Sequence, residues 1–291
     1  MQTTGKGRDT KDQFYTKRIV AETCVKDVLE TLPWAATALW IEPSAGAGAF
    51  LGIYGGETIA LDLEPKAAGV VAQDFLKWNT SNIVTPSAAR RIFFGNPPFG
   101  RQGSTAKKFL RHACDQGADA LAFILPRSFM KPSMYGCIPF TYHLVKQVEL
   151  PKDSFEVNKE PYDVPCVFQI WERRIEQKRE SAEKEEADGF VYVKPGEAYD
   201  LAFRRVGGDA GKTFLPGETQ PSVQSHHFLK FDHGIDVADI QKRVNQHIFP
   251  SNTTGPRSLS KPEINAVLNK LIHASLDSEL SALFEEDSIK N

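Results

Sequence analysis

Asn96-Pro97-Pro98-Phe99 closes an apolar run, residues 91–95, that has the length and composition of a strand. The four residues suit one chemical task. An amino group on an aromatic base is a poor nucleophile, because its lone pair is delocalised into the ring. Two fixed acceptors, the Asn96 side-chain oxygen and the Pro97 carbonyl, would hold its N–H bonds so that the lone pair turns toward an incoming electrophile. Consecutive prolines restrict φ and stiffen the turn, so the acceptors are set before a substrate arrives. Phe99 then offers a flat face to a base taken out of its stack.

Three upstream features stand at the C-terminal ends of expected strands, where open α/β sheets bind their ligands. Residues 38–41 run into Glu42-Pro43-Ser44-Ala45-Gly46-Ala47-Gly48, in which Gly46 and Gly48 let main chain approach a ligand without a Cβ in the way. The third position of the dinucleotide fingerprint is Leu51. A loop of this kind suits adenosylmethionine, which has no pyrophosphate to cradle. Asp62 ends the strand at 58–63, placed to accept from both hydroxyls of a ribose. Asp74-Phe75 pairs an acceptor for the cofactor's adenine amine with a ring to pack on its face.

In this order, and preceded by Asp12-Gln13-Phe14-Tyr15-Thr16, these motifs resemble the N6-adenine methyltransferases, in particular the subgroup with cofactor motifs first and target recognition last. The resemblance covers roughly residues 12 to 171, and 125–129 and 164–168 are similar to the subgroup's later motifs. It implies a Rossmann-like class I methyltransferase fold: a seven-stranded, mostly parallel sheet with helices on both faces. It implies S-adenosylmethionine as cofactor, held by Tyr15, Thr16, Glu42, Pro43, Ser44, Gly46, Gly48, Asp62, Asp74 and Phe75. Tyr15 and Thr16 would lie over its methionine part. Asn96, Pro97, Pro98 and Phe99 would be catalytic, and the substrate adenine in nucleic acid, DNA favoured over RNA. Adenine over cytosine N4 rests on the resemblance, since the cytosine enzymes more often carry Ser in place of Asn96. Enzymes that methylate protein glutamine share the Asn-Pro-Pro turn but typically carry Tyr fourth. A non-catalytic cofactor-binding subunit is a further alternative; intact Gly46, Gly48, Asp62 and Asn96 speak against it.

The elements that must position these residues alternate. Residues 17–32 carry Val20, Cys24, Val28 and Leu32 at helical spacing, and Pro33 closes them. Residues 105–116 read as a second helix, and 120–125, 143–150 and 164–171 as further strands, so a largely parallel sheet covered on both faces is expected. Three segments are expected: a methyltransferase domain over 1–175, a charged linker over 176–189, and a small α+β region over 190–291 for target recognition or an accessory role. In the last, Ser260-Lys261-Pro262-Glu263 has the form of a capping box. Ile264, Val267, Leu268, Leu271, Ile272 and Leu276 then follow on one helical face.

The chain has 291 residues, 41% hydrophobic and 25% charged, the balance of a globular protein with a sizeable core. A formal net charge of −2 excludes a uniformly basic nucleic-acid wrapper, so any contact with phosphates must be local. Arg90, Arg91, Arg101, Lys107, Lys108 and Arg111 flank Asn96 without an acid between Arg90 and His112; Arg101, Lys107 and Lys108 are the expected phosphate contacts. A second basic stretch holds Arg204, Arg205, Lys212, His226, His227 and Lys230. Cys24, Cys114, Cys137 and Cys166 lack zinc spacing and are expected reduced, and Cys166 to be core rather than nucleophile. No metal, membrane span or nuclease centre is expected, and the location is expected to be cytoplasmic or nuclear.

Overall fold

The computed structural model describes residues 14–54, 56–83, 90–157, 160–176, 178–179, 185–250, 253 and 256–289, with side chains of the last helix as far as Ser275. Asp12, Gln13 and the side chain of Leu276 lie outside the described residues. The chain divides into two compact units, 1–182 and 183–291.

In the first unit the elements are β1 (Tyr15–Thr16), α1 (Arg18–Thr31), β2 (Leu39–Glu42), β3 (Thr58–Asp62), β4 (Val71–Ala72), β5 (Arg91–Gly95), α2 (Ser104–Asp115), β6 (Ala120–Pro126), β7 (Tyr142–Glu149), β8 (Phe155–Val157), β9 (Glu160–Tyr162) and β10 (Cys166–Arg173). Seven strands form one sheet in the order β4-β3-β2-β5-β6-β10-β7. The pairs from β4 to β6 are parallel, and β10 runs antiparallel to β6 and β7. This is the seven-stranded, mostly parallel, Rossmann-like sheet of the class I methyltransferase fold. The order reverses between β2 and β5, and a sheet of this kind binds ligands outside the strand ends at that switch point.

All four residues of β2 and all seven of β6 are buried, as strands covered on both faces must be. Alternate side chains enter two cores. Trp40, Ile92, Phe94 and Ile124 pack with Val20, Cys24 and Val28 of α1. Leu39, Ile41, Phe93 and Phe123 pack with Phe109, Leu110 and Ala113 of α2. The sheet is thus covered on both sides, but the β2–β3 crossover is built from turns, because Gly46, Gly48 and Gly52 take positive φ there. A small antiparallel sheet, β1-β8-β9, leaves no signal in the sequence, since strands of two or three residues carry no readable period.

The second unit contains β11 (Phe190–Val193), β12 (Leu201–Arg204), β13 (Thr213–Phe214), β14 (His226–Phe231), α3 (Val237–Gln246) and α4 (Lys261–Ile289). Its antiparallel sheet has the order β11-β14-β12-β13. Phe190, Leu201, Phe203, Leu229 and Phe231 pack against Ile240 and Val244 of α3 and Ile264, Leu268 and Ile272 of α4. The capping box forms, with Ser260 N–H donating to Glu263 Oε2 at 2.8 Å. The described residues of the charged linker expected over 176–189 make contacts within each unit. In the first unit the Arg179 guanidinium lies over Tyr135, Phe140 and Trp171. In the second, Asn265 and Asn269 donate to the carbonyls of Glu185 and Glu186.

Candidate functional site

Neighbouring parallel strands bring the expected residues to one place. Ile41 of β2 pairs with Phe93 of β5, so Glu42 and the Gly95-Asn96 turn emerge side by side. Gly95 has φ +121°, and a Cβ there would stand 3.2 Å from Glu42 Cγ. Ser44 Oγ donates to the Asn96 main-chain oxygen at 3.0 Å, tying the glycine turn to the Asn-Pro-Pro turn.

Asn96 is held by one end of its amide. Nδ2 donates to the Phe14 carbonyl at 3.2 Å, while Oδ1 is buried with no hydrogen-bond partner. A buried acceptor left unpaired costs about 1–3 kcal/mol. Thr16 Oγ1 is likewise buried and unpaired. Orphaned polar atoms are rare enough to require a reason, and two of them fall on residues singled out for ligand contact.

The glycine turn leans on Asp62. Gly46 N–H donates to Asp62 Oδ2 at 2.7 Å and Glu64 N–H to Oδ1 at 2.8 Å. Asp62 therefore shapes the turn with both oxygens, each of which keeps a lone pair for a further donor. Tyr15 reaches the same place: its ring is 3.5 Å from where a Cβ on Gly46 would stand. Lys66 bonds to the Tyr15 hydroxyl and lies 5.0 Å from its ring centre. At Gly48 (φ +82°) the reason for glycine is internal, since a Cβ would strike Leu51 and Ala67 at 2.7 and 2.9 Å.

Glu42 is 1% exposed, with Pro43 buried beside it, and its Oε2 accepts from the Tyr54 hydroxyl at 3.3 Å. Burial pushes its carboxyl up to about 8; the Tyr54 bond opposes this and the Asp62 charge adds to it.

Two expectations, those for Phe75 and Phe99, need correction. Phe75, expected on the face of an adenine, is 1% exposed and packs among Phe93, Phe109 and His112. The turn at Asp74 points it into the core. Asp74 itself accepts from Leu76 N–H at 3.0 Å and pairs with Lys77 at 3.6 Å, capping its own short turn. Phe99 is 7% exposed, and its ring lies 6.2 Å from that of Phe14, which stacks on Tyr162 at 5.1 Å. It presents no open face to a base.

Arg101 and Lys108 are exposed and Lys107 half-buried, on the short turn after Phe99 and on the side of α2 away from its buried Ala106, Phe109 and Leu110. Among the described residues none of the three makes an ion pair, whereas Arg111 pairs with Asp115. Arg90 lies over Trp34 and precedes β5, at the opposite end of the strand from Asn96. Cys166 is buried in the core, which pushes its thiol far up, out of nucleophilic range. Among the described residues no cluster of three or more metal-ligating side chains occurs, and no helix is long and apolar enough to cross a membrane.

Tyr54 and Lys66 contact Glu42 and Tyr15 without a signal in their spacing, whereas Phe14 belongs to the motif that ends in Tyr15-Thr16. Two surface hollows, of about 480 Å³ beside Val25, Leu29 and Ile53 and of about 610 Å³ beside Trp34, Arg90 and Glu172, include none of the candidate residues. The candidate residues gather instead where Tyr15 approaches the glycine turn and Ser44 meets Asn96.

No family model matches the chain, and no curated protein matches its sequence. Among solved structures it is similar to a Pyrococcus horikoshii protein assigned as an RNA methyltransferase, at 15% identity and TM-score 0.45 over 60% of this chain and 93% of that one. A Listeria monocytogenes protein assigned as a class I S-adenosylmethionine-dependent methyltransferase has 12% identity and TM-score 0.41, over 60% and 65% of the two chains. An rRNA methylase from Streptococcus thermophilus has 12% identity and TM-score 0.35, over 53% and 95%. At these values, what the site does is read from this chain's own residues.

Proposed function

We propose that the chain transfers a methyl group from S-adenosylmethionine to the N6 amine of adenine in a nucleic acid, DNA in the first instance. The observation that carries this reading is Asn96 Oδ1, a buried acceptor without a partner beside the Pro97 carbonyl. The Phe14 carbonyl holds Nδ2, so the free oxygen is the end of the amide offered to a ligand. Two acceptors fixed by the turn bind the two protons of an amino group. The lone pair would then leave conjugation as the nitrogen bonds to the methyl carbon, the methyl–sulfonium bond breaking with its electron pair left on sulfur, and one of the amine protons would pass to solvent.

The cofactor supplies an electrophilic methyl group on a sulfonium. The residues that would hold it fit such a ligand. Asp62 keeps free lone pairs for ribose hydroxyls, Thr16 has an unpaired hydroxyl, and Glu42 is a buried carboxyl that a cationic ligand would draw into its charged form. Tyr15, Ser44, Gly46 and Gly48 complete that surface, while Asp74 and Phe75 support it from the neighbouring turn. Phe99 is 7% exposed, so stacking on the base requires its surroundings to shift.

The direct test is transfer of labelled methyl to duplex DNA, single-stranded DNA and RNA in parallel, followed by nucleoside analysis. Label in N6-methyladenine is expected. Label in N4-methylcytosine, or on a protein glutamine, would overturn the assignment.

A further inference from the structure

The second unit holds cations that the chemistry at Asn96 does not use. Phe203 pairs with His227 and Leu201 with Leu229, and Leu201, Phe203 and Leu229 face the core beneath α3 and α4. Arg205, two residues beyond Phe203, follows on the same side. Its carbonyl accepts from Leu259 N–H at 2.9 Å, which brings the start of α4 to that end of the sheet. There Lys261 Nζ stands 4.1 Å from the centre of the Tyr192 ring, and the His227 ring meets the same tyrosine edge-on at 5.3 Å. Tyr192 is fixed in turn by its hydroxyl, which donates to Asn265 Oδ1 at 2.7 Å.

The neighbouring basic groups are otherwise engaged. Arg204 and Lys212 both pair with Asp209, at 3.8 and 3.5 Å, and His226 is buried. By contrast, among the described residues no acid pairs with Arg205, His227 or Lys261. Glu263, close in sequence, bonds to the Ser260 N–H and hydroxyl. Arg205 Nη2 donates to the Gln224 carbonyl at 2.8 Å, which orients the guanidinium and leaves its other N–H groups available.

We propose that Arg205, His227 and Lys261 form a second contact for the phosphodiester groups of a nucleic acid, carried by the second unit. A guanidinium, an ammonium and an imidazole at one end of the sheet, with no acid paired to them among the described residues, offer a tetrahedral oxyanion three kinds of donor. Burial, together with Arg205 and Lys261, pushes His227 down to about 4, a penalty that a bound anion would relieve. Arg205 and His227 are half-buried and Lys261 exposed, so the site is open enough for a phosphate that belongs to a polymer. The choice of nucleic acid over another phosphorylated partner rests on the reading of Asn96 given above.

The test uses the full chain, without cofactor, and a short labelled duplex DNA or the matching RNA, with anisotropy followed against salt. The double variant R205Q/K261Q should bind more weakly at every salt concentration, its salt slope reduced by about 0.7–0.9 for each phosphate no longer neutralised. Lys261→Arg should keep the wild-type slope, and Lys230→Gln, on the opposite side of the sheet, should leave it unchanged. An unchanged slope in R205Q/K261Q, or an equal loss in K230Q, would overturn the site. In parallel, inorganic phosphate is titrated while the His227 imidazole is observed by NMR. Its pKa should rise in the wild-type chain and stay put in R205Q/K261Q; no rise in the wild type removes His227. A rise with no binding of either nucleic acid overturns the nucleic-acid assignment. Failure of the adenine reading would show separately, as absent methyl transfer with these binding results intact.

Discussion

The side-chain amide of Asn96 donates to the carbonyl of Phe14 at 3.2 Å, so the turn after β5 is tied to the strand that precedes α1. This one bond settles which end of the amide is spent and which remains. Removing Asn96 therefore separates chemistry from folding. Asn96→Ala should leave cofactor affinity nearly intact and cut turnover by about 10²–10³, the scale for losing one preorganised polar group at a reacting centre. Single-turnover transfer beside calorimetry reads both quantities, and turnover within a few-fold of wild type would sink the role.

Asp62 has a double duty that two variants resolve. Asp62→Ala should weaken adenosylmethionine binding by about 1.5–3 kcal/mol and also lower the melting temperature, because the Gly46 and Glu64 N–H groups lose their acceptor. Asp62→Asn retains one acceptor oxygen and should recover part of the melting temperature. Unchanged cofactor affinity in the alanine variant, measured by calorimetry, would remove Asp62 from the site.

Glu42 makes stability depend on pH with a definite sign. Its carboxyl titrates near 8 in the folded chain and at its ordinary 4.5 when unfolded, so between those values the folded state binds more protons. Stability from this group is full below about pH 4.5 and falls by roughly 1.4 kcal/mol per unit until about pH 8, above which it levels. Glu42→Gln should flatten that decline in urea unfolding followed across pH. A decline of the same steepness in the variant would show that another group is responsible.

Lys107 and Lys108 make no ion pair among the described residues, and replacing both by Ala should weaken nucleic-acid binding whatever the sequence. The salt slope should drop by about 0.7–0.9 for each phosphate that a lysine had neutralised. If the slope stays where it was, these lysines are only a solvated helix face.

Arg179 anchors the charged stretch to the first unit through three aromatic faces and hydrogen bonds to the Tyr135 and Ile138 carbonyls at 3.1 and 2.6 Å. Arg179→Ala should lower stability by about 1–3 kcal/mol, the combined scale of partly desolvated cation–π and charged hydrogen bonds. Arg179→Lys should recover only part of this, because an ammonium lacks the planar fork. Thermal unfolding that does not distinguish alanine from wild type would show the anchor to be idle.

What the sequence by itself determined is the local chemistry and the alternation of elements. Leu39–Glu42, Thr58–Asp62 and Arg91–Gly95 are apolar runs that end in a turn or an acid, and such runs become strands whose tips hold those residues wherever the sheet places them. Asn96-Pro97-Pro98 is likewise a local constraint, since proline restricts its own φ and that of the turn around it. The C-terminal helix, with its capping box, was legible for the same reason.

Tertiary structure alone decided which of those residues meet, and which faces remain free. The Phe14 carbonyl reaches Asn96 across 82 residues, a pairing set by the small sheet of β1, whose two residues carry no periodic signal. Phe75 and Phe99 read as exposed rings in sequence, and packing against Phe93 and Phe14 buries them, because a nearby core competes for any aromatic surface. The basic stretch after residue 200 reads as one cluster. Strand alternation splits it, giving Arg204 to Asp209 and setting Arg205 and His227 on the other side, at the end of the sheet where α4 begins. Side-chain direction along a strand has a period of two, and partners across strands depend on register, so neither can be read from the order of the residues alone.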